Sequence, residues 1–200
     1  MQAAIDHLKG ADPVLSAIIT KVGPYRLQPR KPTFETLARS IVYQQVSGKA
    51  AASILLRLKA AVGPRFSPKA VLNLSSEELR ACGLSAQKAV YIRDLATRVA
   101  ARQISFRRLV GLDDQEVIES LTQVKGVGVW TVQMFLIFAL GRPNVFPVAD
   151  LGIRNAIRRA YNLPDAPKPE DLLRISACWH PYCSVATWYL WRSLDGQAML

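Results

Sequence analysis

The chain of 200 residues is 50% hydrophobic and 20% charged, which is enough apolar material for a buried core and excludes a disordered tail. Its 26 Lys and Arg outnumber 15 Asp and Glu, and the resulting +11 charge attracts polyanions, with nucleic acid the first candidate. Charge alone leaves non-specific binding open.

Three cysteines, Cys82, Cys178 and Cys183, form neither a disulfide ladder nor a CxxC pair, and His7 and His180 add no metal-ligand spacing. They read as reduced thiols of an intracellular protein. No signal region opens the chain. The longest apolar stretch, Val129 to Leu140, is broken by Thr131 and Gln133 and is too short to span a bilayer. The expectation is a soluble cytoplasmic or nucleoid protein without membrane contact.

Taken in chain order, the pattern is helical throughout. Asp12-Pro13 caps a first helix with Val14, Leu15, Ile18, Ile19 and Val22 inward. Phe34, Leu37, Ala38, Ile41 and Val42 mark a second. Ser47 opens a third, lined by Ala51, Ile54, Leu55, Leu58 and Val62. Cys82-Gly83 ends a helix and Ser85 starts another, with Ala89, Ile92, Ala96 and Val99 inward. Asp113 or Asp114 caps a short helix through Leu121, and Gly128 to Leu140 is longer and apolar on most sides. Ile153, Ala156, Ile157, Ala160 and Tyr161 line the next, while Pro169-Glu170 and Pro181 introduce the last two. No window alternates with a period of two. The fold class predicted is all-α, with about ten helices.

Between two of these helices lies Lys125-Gly126-Val127-Gly128. Glycine at 126 and 128 permits positive φ and close approach of another backbone. The amides opening the following helix, with Val129 at its start, make an anion site for a phosphate gripped without regard to sequence. Lys125 adds a charge. The alternative is an ordinary corner between helices. Lys88, at the Ser85 helix start, and Arg154 are weaker candidates for phosphate contacts.

Asp150, in Phe146-Pro147-Val148-Ala149-Asp150-Leu151-Gly152, precedes an amphipathic helix, where aspartate is first of all an N-cap. It serves chemistry as well only if its second oxygen faces a cleft. One carboxylate without a metal suits cleavage of an N-glycosidic bond: it stabilises the oxocarbenium-like sugar and orients or deprotonates water. Aromatic rings would hold a cationic base more firmly than a neutral one, once the base is flipped from the duplex. Trp130, Trp179, Tyr182, Trp188, Tyr189 and Trp191 supply such rings, at least half of them expected in the core.

Three motifs in order now carry a resemblance: Ser40-Ile41-Val42-Tyr43-Gln44-Gln45-Val46-Ser47, the two glycines and Trp130 of the 125–131 stretch, and Phe146-Pro147 through Asp150-Leu151-Gly152. Together they resemble the helix-hairpin-helix DNA glycosylases, specifically the 3-methyladenine DNA glycosylase II branch of alkylation repair. The resemblance implies two helical lobes with a DNA cleft between them, one lobe of residues 1–32 and 141–200, the other of 33–140 with the helix-hairpin-helix at 113–140. It implies Asp150 as the catalytic aspartate, Trp130 and Trp191 as base-pocket walls, and Gln45 as the side chain filling the gap left by the flipped nucleotide. Met134 stands where some members carry a pocket tyrosine. The carbonyls of Thr122, Val124 and Val127 match a structural Na+ or K+ site that takes no part in the chemistry, and no cofactor for catalysis is implied. Trp130 also occupies the place of the lysine that attacks the sugar in bifunctional relatives, so no Schiff base is expected from it. Cys178 and Cys183 are too few for the four-cysteine iron–sulfur cluster of other relatives.

The expected function is a monomeric, monofunctional glycosylase in base excision repair, releasing 3-methyladenine or 7-methylguanine type purines from duplex DNA with no obligate protein partner. Two alternatives stay open: a DNA-binding protein that recognises damage or structure without catalysis, and a glycosylase for deaminated or oxidised bases.

Overall fold

The computed structural model describes residues 1–198, and side chains as far as residue 194. Among the described residues every regular element is helical, and thirteen α-helices and one 3-10 turn are formed. The first, α1 (Gln2–Ala11), escapes the sequence pattern because it has no capping side chain and buries only Ala4 and Leu8. Asp12 then caps α2 (Pro13–Val22), its side chain accepting the amides of Val14 and Leu15 at 2.9 and 3.0 Å.

Thr33 caps α3 (Phe34–Tyr43), whose buried face is the expected Phe34, Leu37, Ala38, Ile41 and Val42. Ser47 caps α4 (Gly48–Val62), which buries Ala51, Ile54, Leu55 and Leu58. Two short helices follow, α5 (Pro68–Leu72) and α6 (Ser76–Ala81), before Ser85 caps α7 (Ala86–Ala100). A further short one, α8 (Phe106–Leu109), precedes α9 (Asp114–Thr122). Each of α5, α6 and α8 buries a single residue, Val71, Leu79 and Leu109, too little for a periodic stripe to show. Asp113, not Asp114, caps α9, in a capping box with Glu116.

Helix α10 (Val129–Phe138) stops short of the expected Leu140, and Gly141 takes φ +66° just beyond it. Its first two residues are open to solvent, Val129 50% and Trp130 41% exposed, whereas Thr131, Val132, Phe135, Leu136 and Ile137 are buried. The chain continues through α11 (Leu151–Ala160), α12 (Pro169–Ser176), the 3-10 turn Ala177–Trp179 and α13 (Cys183–Ala198). No helix among the described residues is long and apolar enough to cross a membrane.

The helices gather into two compact units, Met1–Pro29 with Leu136–Leu200, and Arg30–Phe135. In the first, Leu8, Leu15, Ile153, Ile157, Trp179 and Tyr189 form the core. Buried Asp12 ties it together: its Oδ2 accepts the Trp179 indole N–H at 2.8 Å and the Tyr161 hydroxyl, while Oδ1 caps α2. Burial pushes the Tyr161 phenol well above its ordinary value, and the hydrogen bond to and charge of Asp12 push the same way. The second unit is built around fully buried Leu37, Ile41, Leu58, Ile92 and Leu95.

Candidate functional site

Candidate residues gather in one group within each unit. In the first unit Asp150 ends a turn closed by its own amide on the Pro147 carbonyl at 2.9 Å, and it is 8% exposed. It is the N-cap of α11, with Oδ1 accepting the Ile153 amide at 2.8 Å. The indole N–H of Trp191 donates to the same Oδ1 at 3.0 Å. The cap and the indole converge on one oxygen.

That arrangement differs from the other buried capping aspartate. Asp12 divides its two oxygens between helix cap and core rings. At Asp150 two donors on one atom fix the plane of the carboxylate. The Trp191 ring is itself braced by stacking on Phe138, centroids 5.5 Å apart and planes 21° from parallel. Gly152 makes room for the contact: a Cβ there would lie 3.0 Å from Asp150 Oδ1 and 3.4 Å from Trp191 Nε1. Arg154, one turn along α11, has a buried Nε with no hydrogen-bond partner. Of the aromatic residues near the C-terminus, Trp179, Trp188 and Tyr189 are buried core, and Tyr182 and Trp191 are half-buried.

In the second unit the hairpin follows α9 through Val124, whose carbonyl accepts the Val127 amide at 3.0 Å. Gly126 has φ +75°, and a Cβ on it would lie 2.1 Å from the Tyr91 ring. The close neighbour is thus an aromatic side chain and not the second backbone that the sequence suggests. Gly128 corrects the expectation further. Its φ is not positive, and a Cβ would meet nothing within 4 Å. What glycine leaves there is open space in front of the α10 N-terminus. Lys125 is exposed, and its amide donates to Asp94 Oδ2 at 2.9 Å. Burial alone would raise the Asp94 carboxyl, but the Lys125 amide, the Arg98 hydrogen bond and both cationic charges hold it below its usual range.

Gln45 is exposed and adopts φ +54°, a left-handed conformation uncommon outside glycine. Its neighbour Gln44 donates from Nε2 to the Gly126 carbonyl at 3.0 Å and to Thr131 Oγ1 at 3.2 Å. The Gln45 turn is therefore joined directly to the hairpin. Lys88, a weaker candidate for phosphate contact, turns its ammonium onto the carbonyls of Val42, at 2.7 Å, and Gln44. Those carbonyls belong to the end of α3, where the helix leaves acceptors unmatched. Met134 is half-buried, one turn beyond exposed Trp130. Thr122 ends α9 and Val124 and Val127 lie in the hairpin, where the Val124 carbonyl also accepts the Val127 amide; a neutral all-oxygen donor set of these carbonyls would suit a hard monovalent cation. Among the described residues no three His, Cys, Asp or Glu side chains cluster as a metal site.

Gln44, Tyr91, Asp94 and Phe138 escape a reading of the sequence. Phe138 had a signal, because it recurs at helical spacing four residues beyond Met134. The others act through contacts between distant segments that spacing does not reveal.

The model of the HhH-GPD superfamily, base excision DNA repair proteins, matches residues 38–181. DNA-3-methyladenine glycosylase 1 of Schizosaccharomyces pombe is 36% identical over 193 residues, covering 94% of this chain and 85% of that protein. The solved structure of the S. pombe 3-methyladenine DNA glycosylase in complex with abasic DNA gives a TM-score of 0.89 at 35% identity, over 96% of this chain and 97% of that one. A DNA-3-methyladenine glycosidase structure from Bacillus halodurans gives 0.85 at 36% identity, over 97% and 89%. The chain belongs to the HhH-GPD superfamily and has its all-α, two-lobed fold. Within the superfamily it falls in the 3-methyladenine DNA glycosylase II branch.

Proposed function

We propose that this chain is a monofunctional DNA glycosylase of base excision repair that hydrolyses alkylated purines, of the 3-methyladenine and 7-methylguanine type, from double-stranded DNA. The observation that carries the reading is the Asp150 carboxylate, held on Oδ1 by the Ile153 amide and the Trp191 indole. Relatives named for release of 3-methyladenine support the substrate class.

A phosphate of the DNA backbone meets the amides of Gly128 and Val129, where the missing side chain at 128 leaves room, and Lys125 adds its charge. The target nucleotide leaves the stack, and Gln45 fills the gap. Trp191, beside Asp150, offers the base a ring face, and such a face favours a cationic purine by roughly 0.5–2 kcal/mol over a neutral one. The C1′–N bond then breaks with its electron pair leaving on the base. Positive charge gathers on the sugar and is stabilised by Asp150. Water adds to C1′ and gives up a proton to the carboxylate or to solvent, leaving an abasic site. A monovalent ion on the Thr122, Val124 and Val127 carbonyls would brace the hairpin and take no part in these steps.

With tryptophan at position 130 no amine is supplied there for a Schiff base. Incubation with methylated duplex DNA should release free methylated purines, identified by mass spectrometry, and borohydride should trap no protein–DNA adduct. An adduct would make the chain a lyase. DNA binding without base release would make it a recognition protein, and release of deaminated or oxidised bases alone would move the substrate class.

A further inference from the structure

Helix α7 holds both segments that the proposed DNA contact uses. Near its start, the Lys88 ammonium donates to the carbonyls of Val42 and Gln44, which carry the chain out of α3 toward Gln45. One turn on, the Tyr91 ring lies where a Cβ of residue 126 would be. Further along, Asp94 accepts the Lys125 amide at 2.9 Å. Gln44 closes the loop, because its backbone carbonyl takes Lys88 while its side chain takes the Gly126 carbonyl and Thr131 hydroxyl. Between these anchors Gln45 keeps φ +54°, a conformation a non-glycine residue holds only where its surroundings impose it.

We infer that Lys88 and Gln44 are positioning residues that join the Gln45 turn to the hairpin, so that gap filling and phosphate grip engage DNA as one piece. The inference rests on the roles proposed above for Gln45 and the hairpin. The alternative role for Lys88 is a direct phosphate contact, which the sequence suggests. Its ammonium is instead engaged with two carbonyls, and burial pushes its pKa below the ordinary lysine value. The two roles predict different salt dependence. A phosphate contact releases counterions, whereas a tie between two protein segments releases none.

The test is binding of Lys88→Met to two duplexes over a range of salt, one intact and one carrying a tetrahydrofuran abasic-site analogue. Positioning predicts an unchanged salt slope, near-normal binding to intact duplex, and a loss of preference for the abasic site of about tenfold, the scale of a lost charge-assisted hydrogen bond. Gln45→Ala should lower the same preference in the wild type and add little in Lys88→Met, because the two act through one element. A slope reduced by about one, with both duplexes weakened equally, would make Lys88 a phosphate contact and overturn the inference. Unchanged preference would also overturn it. Gln44→Met removes the bridge from its other end and carries the same test if Lys88→Met does not fold. A wild type without preference for the abasic site would overturn the underlying reading of Gln45 itself, which separates that failure from this one.

Discussion

Gly152 separates the making of a helix from the making of a site. A methyl group there would crowd Asp150 Oδ1 at 3.0 Å and Trp191 Cδ1 at 3.3 Å, distances at which a neighbour must yield. Replacing glycine by alanine within a helix otherwise favours the helix by roughly 0.5–1 kcal/mol. Gly152→Ala should therefore melt within a few degrees of the wild type, the two effects offsetting. Base release should still slow by about tenfold, because a carboxylate displaced by a fraction of an ångström stabilises the sugar less well. Single-turnover rates beside melting curves check this, and an unchanged rate would show that the Trp191–Asp150 contact is dispensable. The acid itself was legible in the sequence, as a cap before an amphipathic helix. The indole that fixes it was named only as a pocket wall. Its hydrogen bond depends on how α13 packs against α11, and no local pattern encodes that packing.

The hairpin shows the same division at the level of elements. Its two glycines look equivalent in sequence, yet Gly126 combines φ +75° with the Tyr91 ring, while Gly128 faces open space. Gly126→Ala should cost about 2 kcal/mol or more, which for a chain of this length lowers Tm by roughly 4–8 °C. Gly128→Ala should leave Tm within about 2 °C of the wild type. Thermal unfolding of both variants decides the matter, and equal losses would contradict the asymmetry. Helix starts were the most legible elements, because Asp12, Ser47, Ser85, Asp113 and Asp150 announce themselves chemically and all cap as expected. The uncapped α1 and the short α5 and α8 were not legible, and of α6 only the end at Cys82-Gly83 was. What Lys88 touches was not legible for a related reason: its place near a helix start follows from sequence, but its ammonium donates to carbonyls at the end of another helix.

For the whole molecule, the absence of any two-residue alternation was enough to establish an all-α class, and the motifs near Gln45, Gly126 and Asp150 carried the family. The +11 charge favours DNA over most partners but says nothing about chemistry. On the proposed reading binding and catalysis are separable, and Asp150 is the residue that separates them. It sits within the first unit, while the Gln45 turn and the hairpin belong to the second. Asp150→Asn keeps the size of the side chain and an oxygen for the Ile153 and Trp191 donors, yet removes the negative charge. The most direct measurement is single-turnover release of methylated purine from duplex DNA by wild type and Asp150→Asn, with binding to the same duplex measured alongside. We predict release at least ~10²-fold slower in the variant, with binding intact, the scale of losing an electrostatic stabiliser. Equal rates in the two proteins would contradict the assignment of Asp150 as the catalytic group.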